Sequence, residues 1–114
     1  MPDLLLAPFD VVVVPFPFTD RSASKRRPAL VLSSGAFNQN AKHCVLAMIT
    51  SAGQSTWPAD CLIEDLDTAG LPSECLVRLK LFTLDNRLLL RKAGVLGSKD
   101  QKKLRLLWKN MLAV

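Results

Sequence analysis

Apolar residues along this chain gather in six short blocks, at residues 11–16, 29–33, 44–50, 60–63, 76–82 and 88–95. Each is rich in Val, Ile, Leu or Phe, long enough for a strand and too short for an independent helix. Ser34-Gly35, Ala52-Gly53, Gly70-Leu71-Pro72-Ser73 and Asp85-Asn86 punctuate them with turn chemistry. Residues 34–42 (SGAFNQNAK) are polar and read as a loop with room for one helical turn. After Gly97 the period changes. Ser98 with Gln101 three residues on has the spacing of a capping box. Leu104, Leu107, Trp108, Met111 and Leu112 then recur at helical spacing, with Lys99, Lys102, Lys103, Arg105 and Lys109 on the other faces. Many short strands and one amphipathic helix predict a mainly β fold with a C-terminal α-helix, built as a small barrel.

The 114 residues contain no repeat, linker or low-complexity tract, so residues 1–114 read as a single domain. A chain of this size buries roughly two-thirds of its unfolded surface without covalent staples. Residues 1–9 lack the basic start of a secretory leader, and no apolar run approaches the roughly 18 residues that span a bilayer. A membrane partner is not expected. Cys44, Cys61 and Cys75 are an odd number without CxxC spacing, which predicts small buried hydrophobes in a reducing cytoplasm rather than disulfides. His43 adjoins Cys44, and on a strand the two would point to opposite faces, so no metal site and no cofactor is expected.

Charge sharpens the picture through its placement. The formal net charge of +5 suggests a polyanionic partner. Residues 1–20 hold no Lys or Arg, four cations (Arg21, Lys25, Arg26, Arg27) then fall together, and ten of the fifteen basic residues lie from Arg78 onward. The acids Glu64, Asp65 and Asp67 precede the Gly70 turn and read as a strand end rather than a metal cluster.

The first basic cluster is slung between the strands at 11–16 and 29–33. Pro28 biases Arg27 toward extended backbone at the mouth of the second strand, and a guanidinium there can fork onto two phosphate oxygens. Thr50-Ser51, closing the strand at 44–50, could donate hydrogen bonds to the same anion. The residues alone leave two readings open for each: a solvated charge run or a phosphate site, and turn formation or anion binding. One histidine rules out a two-histidine acid–base pair within one chain, and no HExxH, GxSxG or Gly-rich phosphate loop is present.

Four blocks in succession, DVVVVPFPFTD, KRRPALVLSS, CVLAMITS and LPSECLVRLKLFTLD, resemble the PemK/MazF family of toxin–antitoxin ribonucleases over about residues 10–96. The resemblance implies a small SH3-like barrel with a C-terminal helix, usually a homodimer. It also implies metal-independent cleavage of single-stranded RNA within short motifs, the substrate's 2′-hydroxyl attacking the adjacent phosphate. The products would be a 2′,3′-cyclic phosphate and a 5′-hydroxyl. Its catalytic arginine matches Arg27 and its catalytic threonine Thr50. Arg27 would first stabilise charge on the phosphorane oxygens; a guanidinium does not readily deprotonate at ordinary pH, and a part in proton transfer stays open. Arg21, Lys25, Arg26 and Ser51 would grip RNA, and Phe18 could stack on a base. Arg78 and Lys80 alternate with Val77, Leu79 and Leu81 and so share a sheet face, where they extend the RNA track, meet a second subunit or face solvent. An acidic antitoxin is the implied protein partner.

Two positions depart from the family pattern. Phe9 stands where a glycine usually precedes the first strand's aspartate, and residues 21–24 lack the glutamate some relatives carry. The general base then falls to a substrate oxygen, a water or His43. Two alternatives are a CcdB-like gyrase poison and an RNA-binding module without catalysis. The first turns on a tryptophan at the chain end, whereas Trp108 is followed by six residues and sits in the apolar stripe.

Overall fold

The computed structural model describes residues 5–16, 25–53 and 55–114. Six antiparallel strands form one sheet: β1 (Asp10–Phe16), β2 (Lys25–Val31), β3 (His43–Ser51), β4 (Cys61–Leu62), β5 (Cys75–Asp85) and β6 (Arg91–Val95). Their spatial order is β4-β5-β3-β2-β1-β6. The uninterrupted valines of β1 follow from this order, because the central strands are covered on both faces. Alternate residues enter different cores. Val11, Leu30, Ala47, Ile49 and Val77 pack with Leu104 and Trp108 on one face. Val12, Val14, Ala29, Val31 and Leu46 pack with Leu6, Leu84 and Leu89 on the other.

The edges of the sheet are drawn together by a short helix. The chain leaves β4 into α2 (Leu66–Ala69), which packs on β6 at the opposite edge. Backbone meets backbone there: a Cβ on Gly94 would lie 2.5 Å from the Thr68 carbonyl oxygen, and one on Gly70, whose φ is +72°, only 2.1 Å from that of Ala93. The fold is thus mainly β, a curled antiparallel sheet with the C-terminal helix α3 (Ser98–Trp108) laid against it. Among the described residues no helix is long and apolar enough to cross a membrane.

Several boundaries differ from the sequence expectation, each for a local reason. Residues 34–42 contain a two-turn helix, α1 (Gly35–Ala41), rather than a loop. Ser34 Oγ accepts from Phe37 N at 3.2 Å, and the buried Asn38 amide donates to the carbonyls of Leu6 and Ser33, both at 3.1 Å. Tertiary hydrogen bonds therefore order a segment that has no apolar stripe. The capping box at Ser98 is not formed: Gly97 is the N-cap, and Gln101 Nε2 reaches back to Leu96 O at 2.7 Å. Met111 and Leu112 lie beyond the end of α3 and are exposed, whereas Leu104 and Trp108 are buried. Trp108 Nε1 donates to Ala59 O at 2.9 Å, so this tryptophan belongs to the core and gives no support to a gyrase-poison reading. Asp65 caps α2 through Thr68 N at 3.1 Å, and Asp100 accepts from the backbone of Glu64 and Asp65, both at 3.0 Å. All three cysteines are free and buried, as expected.

Candidate functional site

The site begins where the β2–β3 ladder ends. Leu32 N donates to Val45 O at 2.9 Å, and the register pairs Val31 with Leu46, Leu30 with Ala47 and Ala29 with Met48. In an antiparallel ladder the hydrogen-bonded pairs recur every second residue. The next such pair after Leu30–Ala47 would be Pro28 with Ile49. Proline has no N–H to donate, and the recorded pairing stops at Ala29–Met48. Beyond that point the two strands enclose a groove of about 310 Å³ lined by Lys25, Arg26, Arg27, Pro28, Ile49, Thr50, Ser51 and Cys75.

Continued by two residues, the same register sets Arg27 across from Thr50, with both side chains on the face shared by Ala29 and Met48. The sequence candidates Arg27 and Thr50 therefore stand on opposing walls of one groove, with Ser51 beside Thr50 and Lys25 and Arg26 along the β2 wall. Arg27 is held from behind. Its strand partner in β1 is Val14, and its guanidinium carbon lies 4.9 Å from the ring centroid of Phe16, the next residue on that face. Its Nε is buried and has no hydrogen-bond partner among the described residues. An unpaired buried donor is costly.

Among the described residues, three cations and two hydroxyls line the groove and no carboxylate does. Cys75, opposite Ser51 on β5, is a lining residue that sequence reasoning missed. It belongs to the expected apolar block only if β5 starts one residue earlier than the pattern of aliphatics suggests. Burial raises its pKa, so it is a neutral wall rather than a thiolate nucleophile.

Other candidates fall elsewhere. Phe18 and Arg21 lie outside the described residues. Arg78 is buried, and its guanidinium is occupied by Asp60 (Nε–Oδ1 3.1 Å, Nη2–Oδ2 3.0 Å) and by the hydroxyl and carbonyl of Ser55 (both 3.1 Å). It clamps residues 55–60 across β5 and is not an open phosphate contact. Lys80 is exposed, with Nζ 4.5 Å above the ring of Trp57. The alternation placing Arg78 and Lys80 together is broken by a register shift, since Met48 pairs with Arg78 but Ala47 with Leu81. His43 starts β3, paired with Asp85, seven residues from Thr50. At 3.3 Å per residue that is about 23 Å along the strand, too far for it to act as base in this groove. Among the described residues no group of three His, Cys, Asp or Glu side chains is arranged to hold a metal ion.

A family model described as "PemK-like, MazF-like toxin of type II toxin-antitoxin system" matches residues 7–111. Comparison with curated protein sequences found no match. Among solved structures, the chain is similar to MazF in the MazE–MazF complex (form II) of Deinococcus radiodurans, with TM-score 0.74 and 19% identity over 98% of this chain and 99% of that one. It is similar to MazF (form I) from the same organism, with TM-score 0.73 and 20% identity over 98% and 100% of the chains. An endoribonuclease in complex with its cognate antitoxin, from a mycobacterial species, gives TM-score 0.73 at 14% identity over 96% and 95%. Identities this low speak to the fold alone.

Proposed function

The chain belongs to the PemK-like, MazF-like toxin family of type II toxin–antitoxin systems, and on that premise we propose that it is a metal-independent endoribonuclease acting on single-stranded RNA within short sequence motifs. The observation that carries this reading is that Arg27 and Thr50 line the same groove, from β2 and β3, beyond the point where the ladder ends at Pro28, with the Arg27 Nε–H left without a partner among the described residues.

The chemistry is transesterification. The 2′-oxygen forms a bond to the adjacent phosphorus as the bond to the 5′-oxygen breaks, giving a 2′,3′-cyclic phosphate and a 5′-hydroxyl. The proton leaves the 2′-hydroxyl and another reaches the departing 5′-oxygen. Arg27 stabilises the charge that grows on the non-bridging oxygens, and Thr50 donates a hydrogen bond to the same group. Lys25, Arg26 and Ser51 hold flanking phosphates. His43 is out of reach along β3 and no carboxylate lines the groove among the described residues, which favours a substrate oxygen or water as acceptor of the 2′ proton.

The protein acts in the cytoplasm as a homodimer, a reading supported by the exposed Leu106, Met111 and Leu112 at the C-terminal helix and tail. A cognate antitoxin with an acidic segment covers the cationic groove by charge complementarity. The mycobacterial endoribonuclease bound to its antitoxin supports that partner by likeness of fold. The test is incubation with an unstructured RNA in EDTA, followed by mapping of product ends. Cleavage that leaves cyclic phosphates and stops when the nucleotide 5′ to the cut is 2′-deoxy is the expected result. Intact RNA across many sequences would overturn the proposal.

A further inference from the structure

Beside β5, the strand next to β3, lies an ordered aromatic surface that the Arg27–Thr50 pair does not use. Thr50 pairs with Leu76 and Met48 with Arg78, so Arg78 projects on the same face as Thr50, one two-residue step away, about 7 Å. Its clamp on Ser55 and Asp60 ties residues 55–60 to β5, the strand next to β3 in the sheet. Trp57 sits within this segment and is 41% exposed.

An exposed indole would ordinarily sample several orientations, but this one is fixed at three points. Its Nε1 donates to Leu79 O at 3.2 Å, its backbone N donates to Asp60 Oδ2 at 3.1 Å, and Lys80 Nζ lies 4.5 Å from its ring centroid. Asp60 is in turn locked by Arg78. A preorganised ring loses little freedom when a ligand stacks on it. A lysine over one face of the ring supplies the cation that single-strand binders pair with an aromatic surface.

We propose that Trp57 and Lys80 form a nucleotide platform, on which a base flanking the scissile phosphate stacks while its phosphate meets the lysine. This rests on the RNA-cleaving reading above and deepens it, because a platform beside β5 fixes the register of the RNA strand relative to Arg27 and Thr50. Arg78 is the positioning residue that holds the platform.

Binding of an uncleavable 2′-O-methyl single-stranded oligonucleotide of mixed sequence tests this separately from cleavage. The protein has two tryptophans, and Trp108 is buried. Saturating oligonucleotide should quench the emission of the wild-type protein and leave that of Trp57→Phe, which reports Trp108 alone, unchanged. An oligonucleotide of the same length with abasic residues should bind without quenching. Trp57→Ala should weaken binding by about fivefold to 150-fold, the range of one lost base–aromatic stack, and Trp57→Phe by much less. Unquenched emission at saturation, equal affinity of wild type and Trp57→Ala, or no binding of the oligonucleotide would each overturn the platform. RNA cleavage by the wild type, measured apart, decides the catalytic reading on its own.

Discussion

On the register that pairs Ala29 with Met48, Pro28 falls opposite Ile49 at the rung where the β2–β3 ladder would take its next hydrogen bond. The missing N–H ends the ladder, and Arg27 and Thr50, the pair proposed for catalysis, line the opening that results. Pro28→Ala restores the donor. The expected outcome is a slowly exchanging amide at position 28 and cleavage reduced by about tenfold to a hundredfold, as strand closure displaces Arg27 from Thr50. Amide exchange by NMR and a cleavage time course check this together. A protected amide with full activity would show that the opening is not needed.

The roles assigned to the two walls differ in how they tolerate substitution. Arg27→Ala should lower the cleavage rate by a hundredfold or more while RNA binding persists through Lys25 and Arg26. Arg27→Lys should recover only part of the loss, because an ammonium cannot fork onto two oxygens. Thr50→Val removes the hydroxyl at nearly constant shape and should cost on the order of a hundredfold, and Thr50→Ser should restore most of it. Single-turnover rates at saturating RNA are the measurement. Full activity in Arg27→Ala would remove it from the chemistry.

Local signals single these two residues out as candidates, an arginine directly before a proline and a hydroxyl pair closing an apolar block, while their proposed roles come from the resemblance to the family. The strands were legible from local signals too. What the sequence hid depends on distant partners. Arg78 looks like one of several cations until Asp60 and Ser55 arrive from another segment to bind it. Residues 34–42 look like a loop until Asn38 finds the carbonyl of Leu6. In the sequence Pro28 restrains the backbone of Arg27, whereas its part in ending the ladder needs the β2–β3 register.

Arg78 and Lys80, two residues apart on β5, should separate in a stability measurement. Arg78→Ala strips Asp60 of its partner in a site with little solvent and frees residues 55–60. It should lower the melting temperature and expose that segment to limited proteolysis. Lys80→Ala removes only a contact on an exposed ring and should leave both readouts near wild type. Equal effects would mean that the clamp is not what orders the segment.

The three buried thiols should be silent in the native state. Burial pushes all of their pKa values up, and the charge of Asp10 adds to the effect on Cys44, which reaches about 11. A disulfide reagent at pH 8 should label no cysteine until denaturant is added, and then three. The native state holds the Cys44 proton more tightly than the unfolded chain. Its contribution to stability is therefore complete below about pH 9 and is lost as pH rises toward 11. Urea midpoints should fall across that window more steeply for the wild type than for Cys44→Ala. Parallel curves would contradict the assignment.

Phe9 occupies a conformation that suits glycine, with φ at +71°. Its backbone is held there by both neighbours in the fold, donating to Val31 O at 2.7 Å and accepting from Leu96 N at 2.8 Å. Its ring repays part of the strain by packing on the core cluster and lying under Arg105, whose guanidinium carbon is 4.7 Å from the centroid. Phe9→Ala keeps the strained backbone and loses the ring, whereas Phe9→Gly loses the ring and relieves the strain, which costs an L-residue about 1–2 kcal/mol. Both variants should be less stable than the wild type, but Phe9→Gly should exceed Phe9→Ala by about 1 kcal/mol in urea denaturation. That order reverses the usual preference for alanine over glycine inside regular structure. If the alanine variant proves equal or more stable, the left-handed backbone at this position is not strained, and the ring alone accounts for the residue.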